Sequence, residues 1–143
     1  MSDFCLSPAV PADYPELRRL WLATPGMGLN DYDDSPQGLA RFLDRNPATC
    51  FTARRNGVLV GCILSGHDGR RGYIYHLAVA ENCRRQGIGR QLVEAALAAL
   101  GREGIAKAAL VVFADNESGN QFWQRMGFTL RPDLNYRNRI IHE

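Results

Sequence analysis

Apolar residues recur along this chain with two periods, and the switches between them mark out its elements. Residues 4–7 form a short strand candidate ended by Pro8. Pro11-Ala12-Asp13 then opens a helix that Asp13 can cap, and Leu17, Leu20 and Trp21 follow at three- and four-residue steps on one face. Thr24-Pro25-Gly26-Met27-Gly28 stops it. Serine before proline at Ser35-Pro36 starts a second helix, which buries Leu39, Phe42 and Leu43 and ends at Asn46-Pro47. Residues 50–55 and 58–65 flank Asn56-Gly57, a pair that readily takes the positive φ angles of a two-residue turn, and so predict a hairpin. A glycine-rich turn, residues 67–72, leads into a third strand over residues 73–79. Ile88, Leu92, Ala96, Leu97 and Leu100 line one face of a helix over residues 88–102. Residues 108–113 are apolar without polar alternation, which predicts a central strand covered on both sides. Residues 118–126 make a short helix closed by Gly127, and residues 129–131 and 136–141 supply closing strands. The order is β-α-α-β-β-β-α-β-α-β(-β): an α/β chain with one central, twisted mixed sheet and helices on both faces.

At 143 residues the chain suits a single domain over 1–143, large enough for a core without disulfides or metals. Its 17 basic and 15 acidic residues leave a net charge of +2, which speaks against a polyanion-binding protein and hence against nucleic acid. Cys5, Cys50, Cys62 and Cys83 contain no C-x-x-C pair, and only His67, His76 and His142 could join them as soft ligands, so no metal is expected. Cys50 and Cys62 lie in apolar runs and read as small buried residues of a reducing, cytoplasmic compartment. Met1-Ser2-Asp3-Phe4-Cys5 has neither a basic leader nor a long apolar segment, and no window approaches the roughly 18 apolar residues that span a bilayer. No membrane association is expected.

The junction Arg84-Arg85-Gln86-Gly87-Ile88-Gly89-Arg90 carries the most chemistry. A Gly-x-Gly turn at a helix start lets successive amides face one point, where the free N–H groups and positive dipole end of the helix add to them. Flanking guanidinium groups can pair with phosphate oxygens. A dinucleotide fingerprint would need a third glycine where Leu92 stands, and an acidic residue near Ala106, Lys107 and Ala108; neither is present. A P-loop would need Gly-x4-Gly-Lys-Ser/Thr, which the chain lacks. A solvated basic turn stays open for the loop taken alone. The pattern Arg/Gln-x-x-Gly-x-Gly/Ala between a strand and a helix resembles the coenzyme A pyrophosphate loop of the GNAT acetyltransferase superfamily, with Arg84, Gly87 and Gly89 at its fixed positions. Asn116-x-x-Gly119-x-x-Phe122-Trp123-x-x-x-Gly127-Phe128 resembles that superfamily's second signature, in the expected order and spacing.

The resemblance implies an enzyme that moves an acetyl group from acetyl-CoA to an amine, by direct attack in a ternary complex and without a metal. The thioester would lie where the strands at residues 73–79 and 108–113 splay apart. Leu77, Ala78 and Val79 would bond the pantetheine arm like an added strand, with the Val79 N–H as oxyanion donor. Arg84, Arg85, Gln86, Gly87, Ile88, Gly89 and Arg90 would hold the pyrophosphate, and Asn116 would contact coenzyme A while also capping its helix. Phe122 and Trp123 read as walls of the cofactor slot or as core. Trp123 stands where the family places a tyrosine acid, and an indole N–H cannot act as a general acid. Tyr73 stands where many relatives place a glutamate base. Tyr136, Tyr75 and His76 are candidate substitutes; strict alternation puts Tyr73 and Tyr75 on one face and His76 on the other. The acceptor side would be residues 26–34, with the acidic run Asn30-Asp31-Tyr32-Asp33-Asp34 facing a small-molecule, peptide or protein amine. Arg70 and Arg71 could bind an acidic acceptor or solvent. A non-catalytic acyl-CoA-binding or sensing module is the alternative. The last predicted strand offers a pairing edge, so monomer and homodimer both stand open.

Overall fold

The structure, a computed structural model, describes residues 3–141; Met1, Ser2 and His142, which figure in the sequence expectations, lie outside the described residues, as does Glu143. Within the span read as one domain, chain contacts form two compact units, Met1–Val111 and Val112–Glu143.

The first unit holds β1 (Cys5–Pro8), α1 (Tyr14–Leu22), α2 (Pro36–Arg45), β2 (Phe51–Arg55), β3 (Val58–His67), β4 (Gly72–Val79), α3 (Ile88–Arg102) and β5 (Ala108–Ala109). The strands lie in the order β1-β2-β3-β4-β5; the first four pair antiparallel and β5 runs parallel to β4. The expected α/β fold with a mixed sheet is present.

Local chemistry sets most boundaries. The Ser35 hydroxyl accepts from the Gly38 N–H at 3.0 Å and caps α2, whose first turn begins with Pro36. Asn56 and Gly57, at φ 52° and 79°, form the β2–β3 turn as their sequence predicts. Asp13 departs from its expected role. It stands at the N-cap of α1, but its carboxylate accepts from the Val10 N–H and from Arg54, each at 3.0 Å, and caps no α1 amide. Arg54 also grips Glu16 at 2.8 Å; this hydrogen bond lowers the Glu16 pKa and raises that of Arg54.

The core fills both faces of the sheet. Leu17, Leu20, Trp21, Leu39 and Leu43 of α1 and α2 cluster with Cys50, Leu59, Cys62, Leu64 and Ala78. On the other face, a side chain at Gly61 would meet Ile88 and Leu92 of α3 at 3.0 and 3.1 Å, so the helix sits directly on the glycine. Along β3 the faces alternate, with Gly61 toward α3 and Cys62 and Leu64 toward α1 and α2.

Along β4 the alternation breaks. Leu64 pairs with His76 but Ser65 pairs with Ile74, so Tyr75 is an extra residue, a β-bulge. The Tyr75 ring meets Phe42 of α2 at 5.4 Å and Tyr73 at 4.7 Å, while the adjacent His76 ring meets Trp21 of α1 at 5.0 Å. Tyr75 and His76 therefore both project toward the α1/α2 layer. The expectation that they face opposite ways is corrected, because a bulge places two neighbouring residues opposite a single partner.

Two further expectations are corrected. The predicted central strand over residues 108–113 is reduced to Ala108–Ala109, paired with Gly72 and Tyr73, and Val111 is 56% exposed. The bulge two residues beyond Tyr73 bends β4 out of the parallel register, and an apolar run has no ladder to join past that point. In the second unit α4 (Glu117–Arg125) forms as expected, capped by Asn116 and closed by Gly127 at φ 90°. The closing strands over 129–131 and 136–141 are absent among the described residues, and Leu130 and Tyr136 are exposed. Apolar Leu130, Leu134, Tyr136 and Ile140 do fall on alternate positions, but Pro132 lacks a donor, and a strand exists only where a second edge supplies its hydrogen bonds.

Candidate active site

The turn between β4 and α3 is wound by two left-handed residues, Arg85 at φ 63° and Gly87 at φ 83°. Glycine takes this conformation freely. An arginine there costs about 1 kcal/mol or more, and such strain gathers at functional sites. A short 3-10 turn, Glu81–Cys83, precedes the loop, and Gly87 stands at the N-cap of α3 with no side chain capping the first turn. The opening amides of α3 thus have no side-chain acceptor, and the helix's positive end points into the loop.

Each flank of the loop is tied down. Arg84 Nε donates to the Val79 carbonyl at 3.3 Å, and Arg90 pairs with Glu94 at 3.3 Å on the exposed face of α3. The Gln86 side-chain oxygen accepts from Arg55, whose guanidinium also reaches Asp3 at 2.8 Å and the Cys83 sulfur at 3.5 Å. Open hollows lie on both sides, one lined by Gly87, Arg90, Gln91 and Glu94 and one by Asp3, Phe4, Arg55 and Gln86. Arg55 is a site residue that sequence reasoning missed; a lone arginine before a hairpin turn carries no motif.

The neighbouring strand edge is the second component. Ala80 N–H donates to the Val60 carbonyl at 2.8 Å, which fixes the phase of the β3–β4 ladder. In an antiparallel ladder hydrogen-bonded and non-hydrogen-bonded pairs alternate, so Ala78↔Cys62 and His76↔Leu64 exchange bonds, whereas Val79↔Gly61 and Leu77↔Ile63 turn their N–H and C=O groups the other way. That other side is where β5 has already ended, at Ala109. Leu77 thus presents its N–H and C=O, and Val79 its N–H, along an edge with no strand beside it among the described residues; the Val79 carbonyl is taken by Arg84, and the groups of Ala78 are turned to β3. A polar edge of this kind invites an amide-bearing ligand as its partner.

His76, a sequence candidate for catalysis, is engaged on both sides: Nδ1 lies 2.9 Å from the Tyr75 carbonyl and Nε2 2.8 Å from Asp34 Oδ1. Both ring nitrogens thus lie within hydrogen-bond distance of protein oxygens. Tyr75 is 56% exposed. Tyr73, in the position expected of a glutamate, lies half-buried against the Tyr75 ring. Beneath them Cys62 accepts from the Trp21 indole at 3.4 Å, and burial pushes the Cys50 and Cys62 thiols up to about 12. In the turn before β4, Asp68 accepts from the N–H groups of Arg70 and Arg71 at 2.8 and 3.0 Å; these bonds lower its pKa and fold the turn.

The remaining candidates belong to the second unit. Asn116 Oδ1 accepts from the Gly119 N–H at 3.0 Å, which accounts for its capping role. Trp123 lies edge-on to Phe122 and Phe128, with ring centres 5.1 and 5.2 Å away, and Tyr136 is exposed. Among the described residues no group of three histidine, cysteine or acidic side chains is placed to hold a metal ion, and no helix is long and apolar enough to cross a membrane.

The family model described as "Acetyltransferase (GNAT) family" matches residues 14–128. An acetyltransferase of Pectobacterium atrosepticum is 27% identical over 115 residues, which is 80% of this chain and 82% of the relative. Among solved structures, Ard1 from Thermoplasma volcanium superposes with a TM-score of 0.81 at 20% identity, over 91% of this chain and 85% of the other. The PaiA N-acetyltransferase of Thermoplasma acidophilum, solved in complex with coenzyme A, gives a TM-score of 0.79 at 18% identity over 92% of each chain.

Proposed function

The chain belongs to the acetyltransferase (GNAT) family, and on that premise we propose that it transfers an acetyl group from acetyl-CoA to the amine of a small molecule, peptide or protein. The observation that carries the proposal is a pairing within one unit: the outward-turned backbone of Leu77 and Val79 leads directly into the left-handed loop at the start of α3.

That arrangement fits coenzyme A. Leu77 and Val79 provide strand-like partners for an arm that carries amides, and residues 84–90 provide amides, a helix terminus and guanidinium groups for a diphosphate. Acetyl-CoA, when bound, supplies the activated acyl thioester. The Val79 N–H stands as donor to the negative charge that builds on the thioester oxygen as the amine adds. Holding amine and thioester together supplies much of the acceleration by proximity alone.

Proton transfers fall to weaker groups. With Trp123 in the acid's position, the thiol leaves as thiolate; its pKa of about 8.5 makes this a loss of only about 2 kcal/mol at neutral pH. Tyr75, exposed on the bulge, is the side chain of this unit proposed to assist, with water as the remaining acceptor for the amine proton. The absence of an acidic residue at Tyr73 and of a phenol at Trp123 favours the second reading, an acyl-CoA sensor that binds without turnover. Acetyl-CoA presented with pooled amines, amino acids, polyamines and peptides, with thiol release as readout, separates the two: release that depends on the amine supports the enzyme, whereas binding with no amine-dependent release supports the sensor.

A further inference from the structure

Asp34 is the hub of a buried network that the sequence did not foretell. Its side chain and that of His76 are 9% and 11% exposed and meet at 2.8 Å across 42 residues of chain. The second Asp34 oxygen accepts from the Asn30 N–H at 3.0 Å, and the Asp34 carbonyl accepts from the Tyr14 hydroxyl of α1 at 2.7 Å. Asn30 closes the turn by accepting from Asp33 N–H at 2.7 Å and, through its own carbonyl, from Asp34 N–H at 3.0 Å. The start of α2 presses on the same segment: a side chain at Gly38 would lie 2.4 Å from the Asp33 carbonyl. The connection over residues 30–34 is thus gripped by α1, α2 and β4 at once, while Asp31, Tyr32 and Asp33 remain exposed.

The histidine end of this network lies on the bulge. A carbonyl can only accept, so it is as an N–H that Nδ1 bonds Tyr75 O, while Nε2 lies within hydrogen-bond distance of Asp34 Oδ1. The bulge takes Tyr75 out of the one-to-one register with β3 at the point where β4 parts from β5, and the His76 ring lies against its carbonyl. Trp21 packs on the ring and Cys62 lies behind the indole, which keeps water from competing.

We infer that Asp34 and His76 are positioning residues that lock the connection between α1 and α2 to the bulge of β4, fixing the distance between an acceptor held on residues 30–34 and the open strand edge at Leu77 and Val79. The consequence for transfer rests on the function proposed above; the lock itself does not. Neither residue touches the phosphate loop. Loss of the lock therefore weakens use of the amine and spares coenzyme A.

The test compares Asp34→Asn, which keeps an acceptor oxygen for Nε2, with Asp34→Leu, which keeps the volume and removes it, and with His76→Phe, which keeps a ring against Trp21. Coenzyme A affinity is measured by calorimetry, and the KM of the best amine from the pooled screen by thiol release. The expected result is a KM raised about tenfold or more by Asp34→Leu and His76→Phe, a smaller rise with Asp34→Asn, no further rise in the Asp34→Leu/His76→Phe double variant, and coenzyme A affinity held within about twofold. Unchanged KM in folded variants, equal effects of Asn and Leu at position 34, or a parallel loss of coenzyme A affinity would overturn the inference. Proton NMR of the unmodified protein provides an arm that needs neither activity nor stable variants. A downfield, slowly exchanging imidazole proton correlated with His76 is expected, and its absence would refute the lock. A native protein that shows this proton yet does not bind coenzyme A would instead refute the acyl-transfer reading.

Discussion

The loop that opens α3 and the β4 bulge belong to one unit, yet different forces build them. The loop is local: two left-handed residues, a glycine N-cap and a helix terminus produce it from seven consecutive positions. The bulge is assembled from distance, since α1, α2, β3 and the 30–34 connection each contribute a contact to Tyr75 or His76 or to Asp34. The first therefore reads as a motif and tolerates change elsewhere, whereas the second has no linear signature and depends on the packed core. In the proposed reaction the loop provides affinity and the bulge provides geometry.

The sharpest way to break this division is Gly89→Glu, which brings bulk and a negative charge into the first turn of α3. Coenzyme A affinity should fall at least about a hundredfold, or about 2.7 kcal/mol, with little change in thermal stability; an unaltered dissociation constant would remove the loop from the site. Next in size is Gly61→Val, which forces side-chain atoms against Ile88 and Leu92. Overpacking should destabilise the fold by about 1–3 kcal/mol in a urea melt, and coenzyme A affinity should fall with it because α3 carries the loop. A melt without change would mean that α3 shifts at no cost.

Arg55→Leu tests whether the loop is as local as its motif suggests. Removing the grip on Gln86 should weaken coenzyme A binding by roughly fivefold, about 1 kcal/mol; no effect would make the motif self-sufficient. The smallest effect concerns the bulge region. Cys5 is exposed, while burial holds Cys50 and Cys62 near a pKa of 12, so both buried thiols stay protonated at neutral pH and only Cys5 among these three should react quickly with a maleimide. Asp34→Leu should speed labelling of Cys62 by a few fold through local opening; equal rates would show that the lock does not guard the Trp21–Cys62 layer.

The same division explains what the sequence disclosed. The stripes of α1 and α2, the Asn56-Gly57 turn and the Gly87 junction depend on residues within one or two turns of each other, and all appear in the structure. The bulge at Tyr75 was invisible because period-two alternation fits residues 72–79 equally well without it, and only the register against β3 reveals the extra residue. Asp34 and His76 were legible separately, as part of an acidic run and as a strand histidine, but their pairing is a tertiary fact. The apolar run after Ala108 and the segment 129–141 show the converse limit: apolar, β-prone residues favour extended backbone, but a strand needs a neighbouring edge to accept its hydrogen bonds.

The account turns on coenzyme A at the junction of β4 and α3, and calorimetric titration of the native protein with coenzyme A addresses it most directly. Saturable binding at one site, lost in a folded Gly89→Glu variant, is the result predicted. A folded native protein that gives no binding heat with coenzyme A or acetyl-CoA at any practical concentration and temperature, or a Gly89→Glu variant that binds as well as the native chain, would contradict it.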